Sequence, residues 1–275
     1  MPIDKSDPII EDFNAIKMHF CKSSILLAAA LVLLAPTARS ATVISTNPVN
    51  LFGPGYDYLN IRFNSPTGEN AVLADRVASG LEVLFTGFVS QSSGTNSVMD
   101  FATGNLGLTI KSQSPNTIPQ LDITANGTFD LKAPHNSSGY AGFHVSVPFN
   151  LTLTGINGNP FLGTPPTVGL SLGISYSPPG SATYVDSPAP EFSSGNWMGN
   201  WNGNIAALFP AVFTSPTMQV TELSLAITPN VTVWSQNGTA SAYLTSMILQ
   251  PIPEPSTLSL LALGGTWVLF RRRKN

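Results

Sequence analysis

The feature that most restricts the fold of this chain is alternation of period two. Val168-Gly169-Leu170-Ser171-Leu172-Gly173-Ile174-Ser175-Tyr176 puts an apolar side chain at every even position and Gly or Ser at every odd one. Successive side chains of an extended strand point to opposite faces, so the segment reads as a strand with one dry and one wet side. Phe143 to Phe149 repeats the pattern, and Leu151 and Leu153 continue it. Tyr56 to Phe63, Leu81 to Val89, Leu106 to Lys111, Gly127 to Leu131, Met218 to Ile227, Val231 to Trp234 and Ala240 to Leu249 also read as strands. Turn clusters separate them, among them Ser92 to Asn96, Asn157-Gly158-Asn159-Pro160, Ser177-Pro178-Pro179-Gly180 and Gln236-Asn237-Gly238, where Asn and Gly supply the positive φ that tight turns need. About ten strands at this spacing predict an all-β body over residues 41–250, a single jelly-roll-like β-sandwich. Helix is expected only at Glu69 to Val77 and, more weakly, at Ile205 to Phe209, and residues 177–204 read as a long loop.

Charge excludes several classes of function. Only 10% of the 275 residues are charged, against about 25% in an average soluble domain. Residues 41–250 hold 10 acidic and 4 basic side chains, a net of −6, so nucleic acid is not an expected partner. The single cysteine, Cys21, lies outside that span, which leaves the body without disulfides, thiolate metal sites or a cysteine nucleophile.

Both ends of the chain are directed at a membrane. His19 and Lys22 precede an unbroken apolar run of eleven residues, Ile25 to Ala35, which Pro36 ends and Ala38-Arg39-Ser40 follows. That is the plan of a secretory signal peptide over 18–40, cut by signal peptidase between Ser40 and Ala41. Residues 1–17 carry Asp4, Asp7, Glu11 and Asp12 ahead of it and are expected to be a start-site artefact or an extension. At the other end Pro251-Ile252-Pro253-Glu254-Pro255-Ser256 is stiff and extended, because each proline fixes its own φ and biases its predecessor away from helix. Thr257 to Phe270 follows, fourteen uncharged and leucine-rich residues, then Arg271-Arg272-Arg273-Lys274. Fourteen residues give about 21 Å of helix, short for a permanent span and suited to a temporary transmembrane anchor. The basic cluster keeps to the cytoplasmic side, so the body lies outside the inner membrane.

Residues 251–275 resemble the PEP-CTERM sorting signal of Gram-negative bacteria. The matching elements are Pro253, Glu254, Pro255 and Ser256, the leucine-rich helix, and the basic stop of Arg271, Arg272, Arg273 and Lys274. The resemblance implies recognition by an exosortase, which cuts near the Pro-Glu-Pro triplet and releases or transfers the body. It also implies a host that makes exopolysaccharide and grows as biofilm or floc. The body itself resembles no family.

Within the body no arrangement of residues enforces a chemistry. Gly169-Leu170-Ser171-Leu172-Gly173 has the form of a nucleophile elbow, but Ser171 sits in a smooth strand pattern, and His135 and His144 precede it rather than follow. His135, His144, Asp122 and Asp130 have no spacing that enforces a metal site, and His144 reads as solvent-facing. Glu69, Asp75, Glu82, Asp100, Glu191 and Glu222 are scattered. Asn126, Asn136, Asn150, Asn230 and Asn237 open N-x-S/T triplets at a frequency this composition produces by itself. Trp197 and Trp201 stand among amides in the expected loop and are the candidate carbohydrate contacts. The expectation is a non-enzymatic exported envelope or matrix protein, structural in an exopolysaccharide setting and without cofactor or metal. The alternatives are an extracellular carbohydrate-binding module and a secreted glycan-active hydrolase, the last needing two carboxyls across one cleft.

Overall fold

The computed structural model describes residues 42–53, 55–73, 80–114, 116–133, 139–177 and 193–252. The expected signal peptide, the Ser40–Ala41 cleavage site, residues 1–17 and everything from Pro253 onward lie outside them, so the two segments expected to be membrane-directed rest on the sequence alone.

The described body is almost wholly β. In chain order its strands are β1 (Thr42–Ile44), β2 (Val49–Leu51), β3 (Tyr56–Asn64), β4 (Asn70–Leu73), β5 (Leu81–Thr86) and β6 (Val89–Gly94). Next come β7 (Val98–Thr103), β8 (Asn105–Ser112), β9 (Gln120–Lys132), β10 (Tyr140–Ser146), β11 (Pro148–Ile156) and β12 (Asn159–Pro160). The last are β13 (Thr167–Ser171), β14 (Gly173–Ser177), β15 (Ser193–Asn204), β16 (Val220–Ile227), β17 (Asn230–Gln236) and β18 (Gly238–Ile252). One turn of helix, α1 (Ile205–Leu208), is capped by Asn204, whose side chain accepts from the Ala207 N–H at 3.1 Å.

These strands form two facing layers. The first runs β1-β4-β5-β18-β9-β15-β14, with β6 also paired to β18. The second contains β12-β11-β16-β8-β3-β2, with β13 on β11, and the shorter group β10-β17-β7. That group continues the second layer across a bend. Ser146 faces Asn230 on one side of the bend and Phe149 faces Ile227 on the other, three residues further along each strand, so the register is unbroken. Thr103 opposite Asn230 and Leu106 opposite Ile227 show the same continuity for the third strand. The bend falls at Gly104, Thr228-Pro229 and Val147-Pro148. Prolines have no N–H for the ladder, and the row is held instead by Gly104 N–H to the Pro229 carbonyl (3.2 Å) and Thr228 N–H to the Pro148 carbonyl (2.9 Å). Gly104 has no room for a side chain, because the Phe63 ring lies 2.6 Å from where its Cβ would be.

Alternation fills the space between the layers. In β9, Leu121, Ile123, Ala125, Phe129 and Leu131 are buried while Asp122, Thr124, Asn126, Thr128 and Asp130 face outward. Aromatic groups link the layers: Phe63, Phe85 and Phe88 meet edge-on or tilted with centroids 5.5–6.3 Å apart, and Phe129 stacks on Phe143 at 4.5 Å. Elsewhere the layers come closer. Cα atoms of β17 lie within 8 Å of those of β6 and β18, nearer than the roughly 10 Å usual for stacked sheets. Small residues make this possible: Ser90, Ser92, Ala240 and Ala242 on one side, Ser235, Ala102 and Ala141 on the other, all buried. Ser92 Oγ donates to Ser235 Oγ across the gap at 2.9 Å.

Three local expectations are corrected. Asn70 to Leu73, expected in a helix, form β4, because Val72 pairs with Val43 on one side and Leu84 on the other. The ladder outweighs the helix propensity of so short a stretch. Residues 74–77 of that span lie outside the described residues. Val168 to Tyr176 is not one strand: β13 pairs with β11 in the second layer, Leu172 turns the corner, and β14 pairs with β15 in the first. Of the expected loop 177–204, residues 193–204 are β15, paired with β9 over its full length.

Replacing Ser235 by Ala strands the Ser92 hydroxyl between two sheets. Urea denaturation is expected to show a loss of about 1–2 kcal/mol, and Ser92→Ala with Ser235→Ala to cost less than the two single losses summed.

Candidate functional site

The expected carbohydrate contacts are strand residues, not loop residues. In β15 the inward positions are Ser193, Gly195, Trp197, Gly199, Trp201 and Gly203, and the outward ones include Asn196, Met198, Asn200 and Asn202. Trp197 is 2% exposed. Its indole lies across Gly127, directly opposite on β9, and reaches over to β18, where Nε1 donates to the Tyr243 carbonyl at 3.0 Å. A Cβ on Gly127 would sit 2.0 Å from that carbonyl oxygen and 2.2 Å from the ring. Trp201 is half-buried, edge-on to Phe149 at 5.2 Å, with its ring over Gly203. Trp197 therefore offers no ring face to a sugar. The amides beside it do reach solvent: Asn196 and Met198, with Asn126, Thr128, Ser175 and Thr245, line an open depression of about 460 Å³ on the outer face.

The other singled-out residues are dispersed. Ser171 lies at the end of β13, its hydroxyl aimed at the Val147 carbonyl at 3.5 Å. His144 is exposed on β10, His135 lies outside the described residues, and Asp122 and Asp130 face outward from β9. No group of three His, Cys, Asp or Glu able to hold a metal occurs among the described residues. Glu69 accepts from the Ser65 and Thr67 hydroxyls. Glu82 faces outward from β5. Asp75, Glu191 and Asn136 are outside the described residues; Asn126, Asn150 and Asn230 lie in strands and Asn237 in a turn.

Among the described residues, Asp57 and Glu222 share one cross-strand row, two strands apart with Lys111 on β8 between them. They lie on an open sheet surface, and Glu222 and Lys111 border a polar depression of about 510 Å³ with Asn157, Asn159 and Gln219. Nearby, burial pushes the Tyr56 hydroxyl up to about 12, and it donates to the Thr117 carbonyl at 2.9 Å. Tyr176 is also raised by burial, against Phe143.

The aromatic surface of this protein lies on β10-β17-β7. Val231, Val233 and Ser235 face inward, so Thr232 and Trp234 face out. Trp234 stands between Gly142, which has no side chain to compete for its space, and Met99; Thr232 stands between His144 and Phe101. Met99 is 71% exposed and Phe101 53%. Strand β7 is inside out: Asp100 is on the inner side, where its carboxylate accepts from the Gln91 N–H at 2.8 Å and the Ser90 hydroxyl at 3.4 Å. Holding the end of β6 this way turns Met99 and Phe101 to solvent. The available sequence signal was the run Val231 to Trp234, whose two valines fix the outward side. Residues 98–103 are not among the strands expected from sequence, because Val98-Met99-Asp100-Phe101-Ala102-Thr103 does not alternate large apolar with polar residues in the regular way.

Comparison with known proteins bears on the sorting segment. Residues 251–274 match the PEP-CTERM protein-sorting motif. The motif implies export, sorting to the cell surface or beyond, and an exosortase as processing partner. Its first two residues belong to the body: Pro251 and Ile252 end β18, paired with Leu121 and Gln120. No curated protein matches the chain. Among solved structures, endoglucanase 3 of Trichoderma harzianum from family GH12 is similar at 12% identity, over 78% of this chain and 97% of that one, with a TM-score of 0.20. So slight a likeness carries no argument.

Gly127→Ala drives a methyl group into backbone and indole together. It is expected to lower stability in urea by about 2–3 kcal/mol, whereas Thr128→Ala on the outer face changes it by less than about 0.5 kcal/mol.

Proposed function

We propose that the chain is a non-enzymatic protein of the cell envelope or extracellular matrix, exported through its N-terminal signal, held briefly in the inner membrane by residues 257–270, and cut by an exosortase near Pro253-Glu254-Pro255. The observation that carries this reading is the sorting motif at 251–274, whose first two residues are the last two of β18. The body suits a structural role in a polysaccharide matrix: amides and hydroxyls outnumber the few charged side chains on the outer sides of β9 and β15. Replacing Pro253, Glu254 and Pro255 by alanine is expected to leave full-length chain in the membrane fraction. Mass spectrometry of the C-terminus checks this; unchanged processing would overturn the sorting reading.

Contact with neutral glycan is the second reading, and the face of β10-β17-β7 favours it. Met99, Phe101 and Trp234 offer apolar surface to the C–H faces of sugar rings, and Thr232, Gln236 and Ser146 supply hydrogen-bonding groups beside them. No Asp, Glu, Lys or Arg projects from this face among the described residues, so it matches an uncharged ligand. Phe101→Ala with Trp234→Ala is expected to weaken retention on native exopolysaccharide about tenfold, and Met198→Ala on the opposite layer to leave it unchanged. Equal retention by all three, with circular dichroism intact, removes the glycan reading.

A further inference from the structure

We propose that the end of the body from which the sorting segment leaves is a lipid-contacting surface, pressed onto the outer leaflet of the same bilayer that takes up residues 257–270. The inference rests on the reading of that segment as membrane-directed and adds what the body does while tethered.

The argument begins with reach. Strand order holds to Ile252, which is paired with Gln120, and Thr257 opens the apolar run five residues on. Five steps of polyproline-like chain cover about 15 Å, and full extension about 17 Å. The headgroup layer alone occupies roughly 5–8 Å of that distance. Seven strands side by side make the first layer about 29 Å wide. A leash shorter than the body is wide brings the exit end against the membrane surface, whatever the tilt.

The same end carries the most apolar stretch of the described chain. Asn204, Gln120 and Ile252 form one cross-strand row, so α1 begins about 10 Å from the exit, two strand spacings away. Ile205-Ala206-Ala207-Leu208-Phe209-Pro210-Ala211-Val212-Phe213 contains no polar side chain. Ile205 and Phe209 are buried and fix the segment to the core, and Ala207, Pro210 and Ala211 are exposed. No charge follows before Glu222. Phe52, 67% exposed in the β2–β3 turn, belongs to this end too, since β3 starts where β8 finishes and Gln113 N–H bonds to the Gly55 carbonyl. Chain of this character gains by entering the interface, where its apolar side chains leave water, while the charges nearest this end, Asp57, Lys111, Asp122 and Glu222, sit one or two residues back along their strands and on the outer faces.

The test uses the full chain with Cys21→Ser, reconstituted in phosphatidylethanolamine–phosphatidylglycerol vesicles and carrying one environment-sensitive fluorophore at a time. Labels go on Ala211→Cys and Ala207→Cys at the exit end, Thr95→Cys in the β6–β7 turn at the opposite end, and Leu261→Cys within the apolar run. Quenching by lipid spin-labelled near the headgroup is expected to be at least threefold stronger at Ala211 and Ala207 than at Thr95, with Leu261 quenched by a deeper spin label. If Leu261 is quenched but the exit-end labels match Thr95, the tether stands and the contact surface is refuted. If Leu261 itself stays in water, the membrane reading fails and the contact surface with it.

Discussion

The body depends on the pairing of β18 with β9. Among the described residues, strand β18 is the only link between the β9-β15-β14 half of the first layer and the half built from β1, β4, β5 and β6. Its one irregularity, the bulge between Leu244 and Ser246, is where the ladder meets Gly127. Thr245 is the extra residue, and its hydroxyl donates to the Asn126 carbonyl at 2.9 Å. The adjoining Tyr243 carbonyl accepts the Trp197 indole N–H. A buried indole with its N–H unmet would cost about 1–3 kcal/mol, so the bulge and the glycine beneath the ring together make the tryptophan acceptable inside. The strand then delivers the sorting segment from its other end. Interior packing, sheet continuity and the position of the processing site are thus set by one element.

The fold class was legible because most strands alternate large apolar residues with small polar ones, and those strands lie where alternation puts them. Reading failed where the alternation was written in other residues. In β15 the inward set is Gly, Trp, Gly, Trp, Gly and the outward set mostly Asn. Glycine contributes nothing to a hydropathy pattern, so a strand whose glycines make room for tryptophan looked like a polar loop. In β7 the pattern is inverted, with Asp100 turned in to hold β6 and Met99 and Phe101 turned out, and alternation does not reveal the strand. The bend at Gly104, Val147-Pro148 and Thr228-Pro229 needs three strands seen together. The sorting motif at 251–274, by contrast, was legible because its elements are contiguous in the sequence.

The scarcity of charge shapes the topology as well. Sheet edges expose unpaired backbone groups, and many proteins guard them with lysine or other charged side chains. With so few charges available this chain closes its edges by connectivity. β1 and β2, four residues apart, are edge strands of opposite layers, and so are β14 and β13, separated by Leu172 alone. Leu172 is 5% exposed, and its N–H bonds to the Val147 carbonyl at 3.1 Å. Each side of the sandwich is stitched by chain that crosses from layer to layer, leaving the sparsely charged outer faces as the main surfaces offered to a partner.

Strand order also couples folding to the tether. The partners of β18 are β5, β6 and β9, which precede it by more than a hundred residues. Such non-local pairing is slow, because chain entropy is lost before contacts compensate. In export from the N-terminus, the first layer stays divided until residues 238–252 emerge, and the apolar run comes directly after them. Under the proposed tethering, the last strand needed to unite the layer is also the strand nearest the membrane, and a body unable to close until that strand arrives, held by a leash of four residues, completes its core at the bilayer surface. On that proposal, an anchor cut only later keeps the open edges of β5, β6 and β9 away from other chains during that interval, which matters most for a protein with so little charge to prevent edge pairing.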